Sequence, residues 1–179
     1  MEAIDTPISG CYEIKSNIFK DARGRFIKTF HEPEFVSLGL RTDWKEEYYS
    51  ISHRNVLRGM HFQVPPVDHA KIVYCLAGEV LDVVVDLRSK SSTYRKCYSI
   101  YLSPEHGNSL YIPSGLAHGF LTLTNECVMH YKATSVYSPE HDAGVLWSSL
   151  EFEWPLKNPV VSERDKNFPA IADFETPFL

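Results

Sequence analysis

Between residues 71 and 137 the chain alternates short apolar runs with polar breaks. The segment EVLDVVVDLR (79–88) has the β-branched density of a buried strand, punctuated by Asp82 and Asp86. KIVYCLA (71–77), CYSIYLS (97–103), SLYIP (109–113), GFLTLT (119–124) and CVMHYKATSVY (127–137) are likewise short and apolar or alternating. Turn-forming residues part them: AG at 77–78, EHGN at 105–108, PSG at 113–115 and TNE at 124–126. Helical periodicity is scarce. The clearest helix candidate is EPEFVSLG (32–39), with Pro33 in the first turn and Gly39 at the end. Many short strands at near-regular spacing predict an all-β sandwich or barrel with short peripheral helices. No repeat, low-complexity segment or linker interrupts the chain, so residues 1–179 read as one domain. The proline-punctuated stretch from residue 151 is expected to wrap over the barrel.

Composition narrows the function. The chain of 179 residues is 44% apolar, enough for a sizeable core. A net charge of −5 argues against a nucleic-acid or membrane-surface partner, both of which need a basic field. No apolar run approaches membrane-spanning length, and MEAIDTPISG (1–10) has no secretory pattern, so a cytoplasmic location is expected. Cys11, Cys75, Cys97 and Cys127 are scattered without a CxxC pair, which suits buried reduced thiols better than zinc.

Two histidines need an explanation. His61 lies in RGMHF (58–62) and His118 in LAHGF (116–120), both apolar strand contexts. Strand alternation turns every second residue into a barrel, and a histidine facing the interior must be hydrogen-bonded or functional. Taken alone, each is more often a satisfied structural residue. A metal site is disfavoured, because no HxH pair exists and a third clustered ligand is missing. Acid–base chemistry has candidates in His61, Lys71, His118, Tyr137 and Asp165. Pattern alone leaves each of them its ordinary role: Lys71 a solvated charge, Tyr137 a packed ring, Asp165 a turn or cap, Arg23 and Arg58 surface cations.

The ordered runs DARGRF (21–26), VLRGMHFQ (56–63), KIV (71–73), GEVLDVVVDLR (78–88), STY (92–94), IPSGLAHGF (112–120), YKATSVYSPEHDAG (131–144), Trp147, WP (154–155) and VSERD (161–165) span nearly the whole chain. In this set the chain resembles the dTDP-4-dehydrorhamnose 3,5-epimerase family. The resemblance implies a cupin jelly roll without cofactor or metal, usually a homodimer. Its implied substrate is a nucleotide-diphospho-4-keto-6-deoxyhexose. It also implies roles: His61 as base, Asp165 as its partner, Tyr137 as the acid on the opposite sugar face, and Lys71 as stabiliser of the enolate oxygen. Arg23, Arg58, His118, Phe26 and Gln63 stand at positions matched to substrate binding.

Some positions depart from the family pattern. Lys28 replaces a glutamate, KEEYYSIS (45–52) replaces a stretch with Gln and Asn, VPPVDHA (64–70) carries an acid and a histidine near a usual glutamine, and WSS (147–149) replaces WND. The carbon-acid set is intact while the nucleotide and rim positions differ. The nucleotide (dTDP, CDP or GDP) and the inverted carbon (C3, C5 or both) are therefore open. A 3,4-ketoisomerase and a silent sugar-nucleotide-binding cupin are the competing readings.

Overall fold

A computed structural model describes all residues, 1–179. Its strands are β1 (Glu2–Asp5), β2 (Tyr12–Lys15), β3 (Ile18–Asp21), β4 (Gly24–Ile27), β5 (Glu46–His53), β6 (Leu57–Gln63), β7 (Lys71–Ala77), β8 (Val80–Asp86), β9 (Cys97–Leu102), β10 (Asn108–Ile112), β11 (Leu116–Thr122), β12 (Glu126–Ala133) and β13 (Asp142–Gly144). Two short helices accompany them, α1 (Glu32–Ser37) and α2 (Glu163–Lys166). A six-stranded sheet in the order β1-β2-β10-β7-β12-β5 faces a five-stranded sheet in the order β13-β6-β11-β8-β9, and β3 pairs with β4 as a separate hairpin. All named strand pairs are antiparallel. This is an all-β cupin jelly roll.

Three apolar layers hold it. Val73, Val84, Leu102, Leu110, Phe120 and Met129 fill the space between the sheets. Leu81, Val83 and Val85 point the other way, where Leu150, Ile171 and Phe178 of the C-terminal segment cover them. Strand β8 is thus buried on both faces, which is why its sequence is a near-continuous apolar run. Phe35 of α1 caps a third cluster with Ile14, Ile72 and Tyr111 on the outside of the six-stranded sheet. The cysteines are unpaired, and burial pushes the Cys11 and Cys75 thiols up to about 12.

Two of the differences from the sequence-based reading bear on the site. Strand β12 stops at Ala133 instead of continuing to Tyr137. Its neighbours both begin there, Glu46 and Lys71 each standing opposite Ala133, so the next residues have no ladder to join. Strand β5 was hidden because its alternation is inverted. Tyr49 and Ile51 are exposed on the outer face, while Ser50 bonds Tyr131 and Ser52 bonds Arg58 on the inner one.

Candidate active site

Alternation on β6 decides where the cavity forms. Met60 and Phe62 pack outward under the C-terminal segment, so His61 and Gln63 turn into the barrel. His61 Nε2 lies 2.8 Å from Asp165 Oδ1. The other oxygen of Asp165 accepts the Gly59 N–H at 3.0 Å, and the Asp165 N–H donates to the Ser162 Oγ cap of α2. A one-turn helix thereby fixes a buried carboxylate. Burial alone would raise Asp165, but hydrogen bonds from His61, Gly59 and Ser162 and the His61 charge outweigh it and hold the carboxyl below its usual range. An ionised Asp165 accepts a hydrogen bond from the Nε2–H, which leaves the Nδ1 lone pair of neutral His61 available as a base. The His61 ring stands edge-on to Phe168, and its side chain is 32% exposed. Solvent can reach it.

The cavity beside His61 has a volume of about 260 Å³. Its lining includes Gln63, His69, Lys71, Tyr137, Asp142 and Arg164. Lys71 opens β7 and is only 6% exposed. Burial lowers its ammonium from 10.5 to about 8, against the opposing pull of Asp82 and Asp142. Behind it, His118 Nε2 lies 2.8 Å from Asp82 Oδ2, both groups buried. Burial pushes the Asp82 carboxyl up and the His118 imidazole down, and neither side chain is among those that line the cavity.

Tyr137 follows β12 on a loop, 57% exposed. Its hydroxyl faces Asp142, whose carboxylate raises the phenol above its ordinary value of 10 and is itself paired with Arg164 at 2.7 Å. The loop itself is bonded from both sides. Glu46 Oε2 accepts the Tyr137 N–H at 2.6 Å, and Gln63 Oε1 accepts the Ser138 N–H at 2.7 Å. The arrangement offers a base, a buried cation and a protonated phenol around one small cavity, which is what removing and returning a carbon-bound proton needs.

The sequence candidates do not all meet. His61, Asp165, Lys71, Tyr137 and Gln63 converge, while Arg58 lines an adjacent cleft beside His61 and Asp165, bonded to Ser52 Oγ at 2.8 Å. Arg23 and Phe26 lie elsewhere, on the β3–β4 hairpin. Arg23 is paired with Asp21, its side chain 91% exposed, and Phe26 is 62% exposed against Phe19. Sequence reasoning missed Asp82, Glu46, Asp142 and Arg164. Only Asp82 carried a signal, an acid inside an apolar run that must find a partner. No three His, Cys, Asp or Glu side chains are grouped to hold a metal ion, and no helix is long and apolar enough to cross a membrane.

The family model described as dTDP-4-dehydrorhamnose 3,5-epimerase matches residues 5–173. The enzyme of that name from Methanothermobacter thermautotrophicus is 38% identical over 175 residues, covering 95% of this chain and 94% of its own. The crystal structure of the Elizabethkingia anophelis dTDP-4-dehydrorhamnose 3,5-epimerase is 39% identical, with a TM-score of 0.90 over 97% of each chain. A dTDP-6-deoxy-D-glucose-3,5-epimerase from Legionella pneumophila, in complex with dTDP-4-keto-L-rhamnose, has a TM-score of 0.92 at 32% identity, over 97% of this chain and 94% of its own. With the fold, the His61–Asp165 pair and these similarities together, the chain belongs to the dTDP-4-dehydrorhamnose 3,5-epimerase family, carbohydrate epimerases of the isomerase class.

Proposed function

We propose that this protein inverts C3 and C5 of a dTDP-linked 4-keto-6-deoxyhexose. The observation that carries the reading is one cavity holding the free nitrogen of an Asp-paired His61 together with Lys71 and Tyr137. The C4 ketone makes the neighbouring C–H bonds acidic because the carbanion is an enolate. His61 Nδ1 removes the proton, and Asp165 stabilises the imidazolium that forms. The Lys71 ammonium stabilises the enolate oxygen, a fixed charge in a dry site being worth on the order of ~3 kcal/mol. Tyr137 returns a proton to the opposite face and so inverts the carbon. A 3,4-ketoisomerase has no use for an acid on the second face. The dTDP moiety is taken from what the relatives are named for.

The hexose sits in the cavity beside His61, Lys71 and Tyr137, and the nucleotide extends from its open side. Arg164 lines the cavity and Arg58 the cleft beside it, two cations available to the diphosphate. Arg23 and Phe26 serve the cavity of a second copy. The face of the six-stranded sheet beside their hairpin exposes Tyr49, Ile51 and Leu76, an apolar surface suited to a homodimer. On this reading each hairpin reaches its partner's nucleotide.

Incubation with the dTDP-4-keto-6-deoxyhexose in D2O, followed by NMR, tests the chemistry. Deuterium is expected at the inverted carbons. His61→Asn should lose exchange and inversion together. Tyr137→Phe should still exchange the proton through His61 while forming little inverted product. Loss of both in Tyr137→Phe, or of neither, would remove Tyr137 from the role given to it.

A further inference from the structure

Tyr137 is an exposed side chain on a loop, and a proton donor must be held to within a fraction of an ångström of its target. The ring's own packing does not provide that hold. The backbone around it does. Three consecutive residues are tied down by two side chains from different strands. Glu46, at the start of β5, accepts the Tyr137 N–H at 2.6 Å. Gln63, at the end of β6, accepts the Ser138 N–H at 2.7 Å and donates to the Val136 carbonyl at 3.3 Å. The bond to Glu46 has the short length of a charge-assisted hydrogen bond. Gln63 is in turn locked, because its two amide N–H groups are shared among the Val67 carbonyl at 2.9 Å, Ser135 Oγ at 3.1 Å, His69 Nδ1 at 3.2 Å and that Val136 carbonyl. Its oxygen must therefore face the loop.

The geometry points to Glu46 and Gln63 as positioning residues. Their clamp on residues 136–138 fixes the reach of the Tyr137 hydroxyl, and so decides whether the enolate is inverted or reprotonated on the face it came from. The clamp rests on Tyr137 being the second-face acid. It gives Gln63 a task other than contacting substrate, and it gives the unexpected acid of β5 a task that needs no cation beside it.

The test measures solvent exchange and inversion separately in Glu46→Ala, Gln63→Leu and Glu46→Gln, with Tyr137→Phe as the reference and a melting curve for each. Glu46→Ala and Gln63→Leu are expected to lower inversion by about 10–10²-fold while exchange stays within about 3-fold. Glu46→Gln keeps an acceptor for the Tyr137 N–H and should restore most of the inversion. A rise in KM with an unchanged exchange-to-inversion ratio would make Glu46 a substrate contact and overturn the clamp. So would a parallel fall of exchange and inversion in folded variants. If Tyr137→Phe itself fails to separate the two processes, the assignment of the acid is wrong. If Tyr137→Phe separates them and neither clamp variant does, the acid stands and the clamp falls.

Discussion

Replacing Lys71 by Met should make the protein more stable and nearly inactive at the same time. Lys71 is buried and makes no ion pair, and its ammonium falls from 10.5 to about 8. At about 1.4 kcal/mol for each unit of pH, keeping that charge in the folded interior costs roughly 3 kcal/mol. The sign follows from the two values. The folded state releases its proton first, so the cost is fully present below about 8. It fades as pH rises towards 10.5, where the unfolded chain is neutral as well. Lys71→Met should therefore gain roughly 3 kcal/mol in urea denaturation at pH 7, and less of it at each step above pH 8. Activity moves the other way. Loss of the cation beside the enolate oxygen should lower kcat/KM by about 10²–10³-fold. In the wild type, kcat/KM should fall about tenfold per pH unit above about 8, as free Lys71 loses its proton. Tyr137 and the thiols stay out of this window, since Asp142 lifts the phenol above 10 and burial raises Cys97 to about 11. Asp82→Asn removes a negative charge that supports the ammonium, so it should move the alkaline limb to lower pH. A Lys71→Met enzyme whose residual rate keeps the limb near 8, or whose stability gain is absent at pH 7, would refute this account of the buried cation.

Asp165→Asn should fold, because an amide oxygen can still accept the Gly59 N–H, but lose about 10²–10⁴-fold in kcat with the His61 tautomer no longer fixed. Steady-state rates beside a melting curve check it. Exhaustive chelation should leave the rate unchanged, since no three ligating side chains converge; a loss restored by one particular metal would contradict that expectation.

Much of the barrel was legible because its interior strands carry strong local signals. The run from Val80 to Asp86 could only be a buried strand, and KIVYCLA matches β7 residue for residue. The edges were not legible. Ser50 and Ser52 on β5 face inward while Tyr49 and Ile51 face out, which inverts the alternation by which half-buried strands are recognised. His61 could be placed inside the barrel from its neighbours Met60 and Phe62, but Asp165, 104 residues away in sequence, became its partner only through the resemblance. Glu46 carries no local signal, because its importance arises from where β12 ends and the loop to Tyr137 begins. The Asp82–His118 pair lay between the two, since an acid in an apolar strand announces a partner without naming it.

The remote position of Arg23 and Phe26 leads to the last prediction. If their hairpin acted on its own chain, it would have to leave the exposed position it occupies and reach a cavity whose wall it does not form. If it acts on a partner, two lesions in different chains should complement each other. Arg23→Ala should lower kcat/KM by about 10–10²-fold through loss of a charge-assisted bond to phosphate. His61→Asn alone should be inactive. Mixed in equal amounts under conditions that allow subunit exchange, half of the dimers carry one chain of each kind. In those, the cavity with Asn at position 61 also meets the Ala hairpin and is doubly impaired. The other cavity keeps His61 and receives an intact Arg23 from its partner. One cavity in four is then whole, and the mixture should recover roughly a quarter of wild-type activity. A hairpin working within its own chain leaves every cavity in the mixed dimers impaired. Recovery no greater than the sum of the separate variants, with subunit exchange verified by mass, would place Arg23 outside the partner's site.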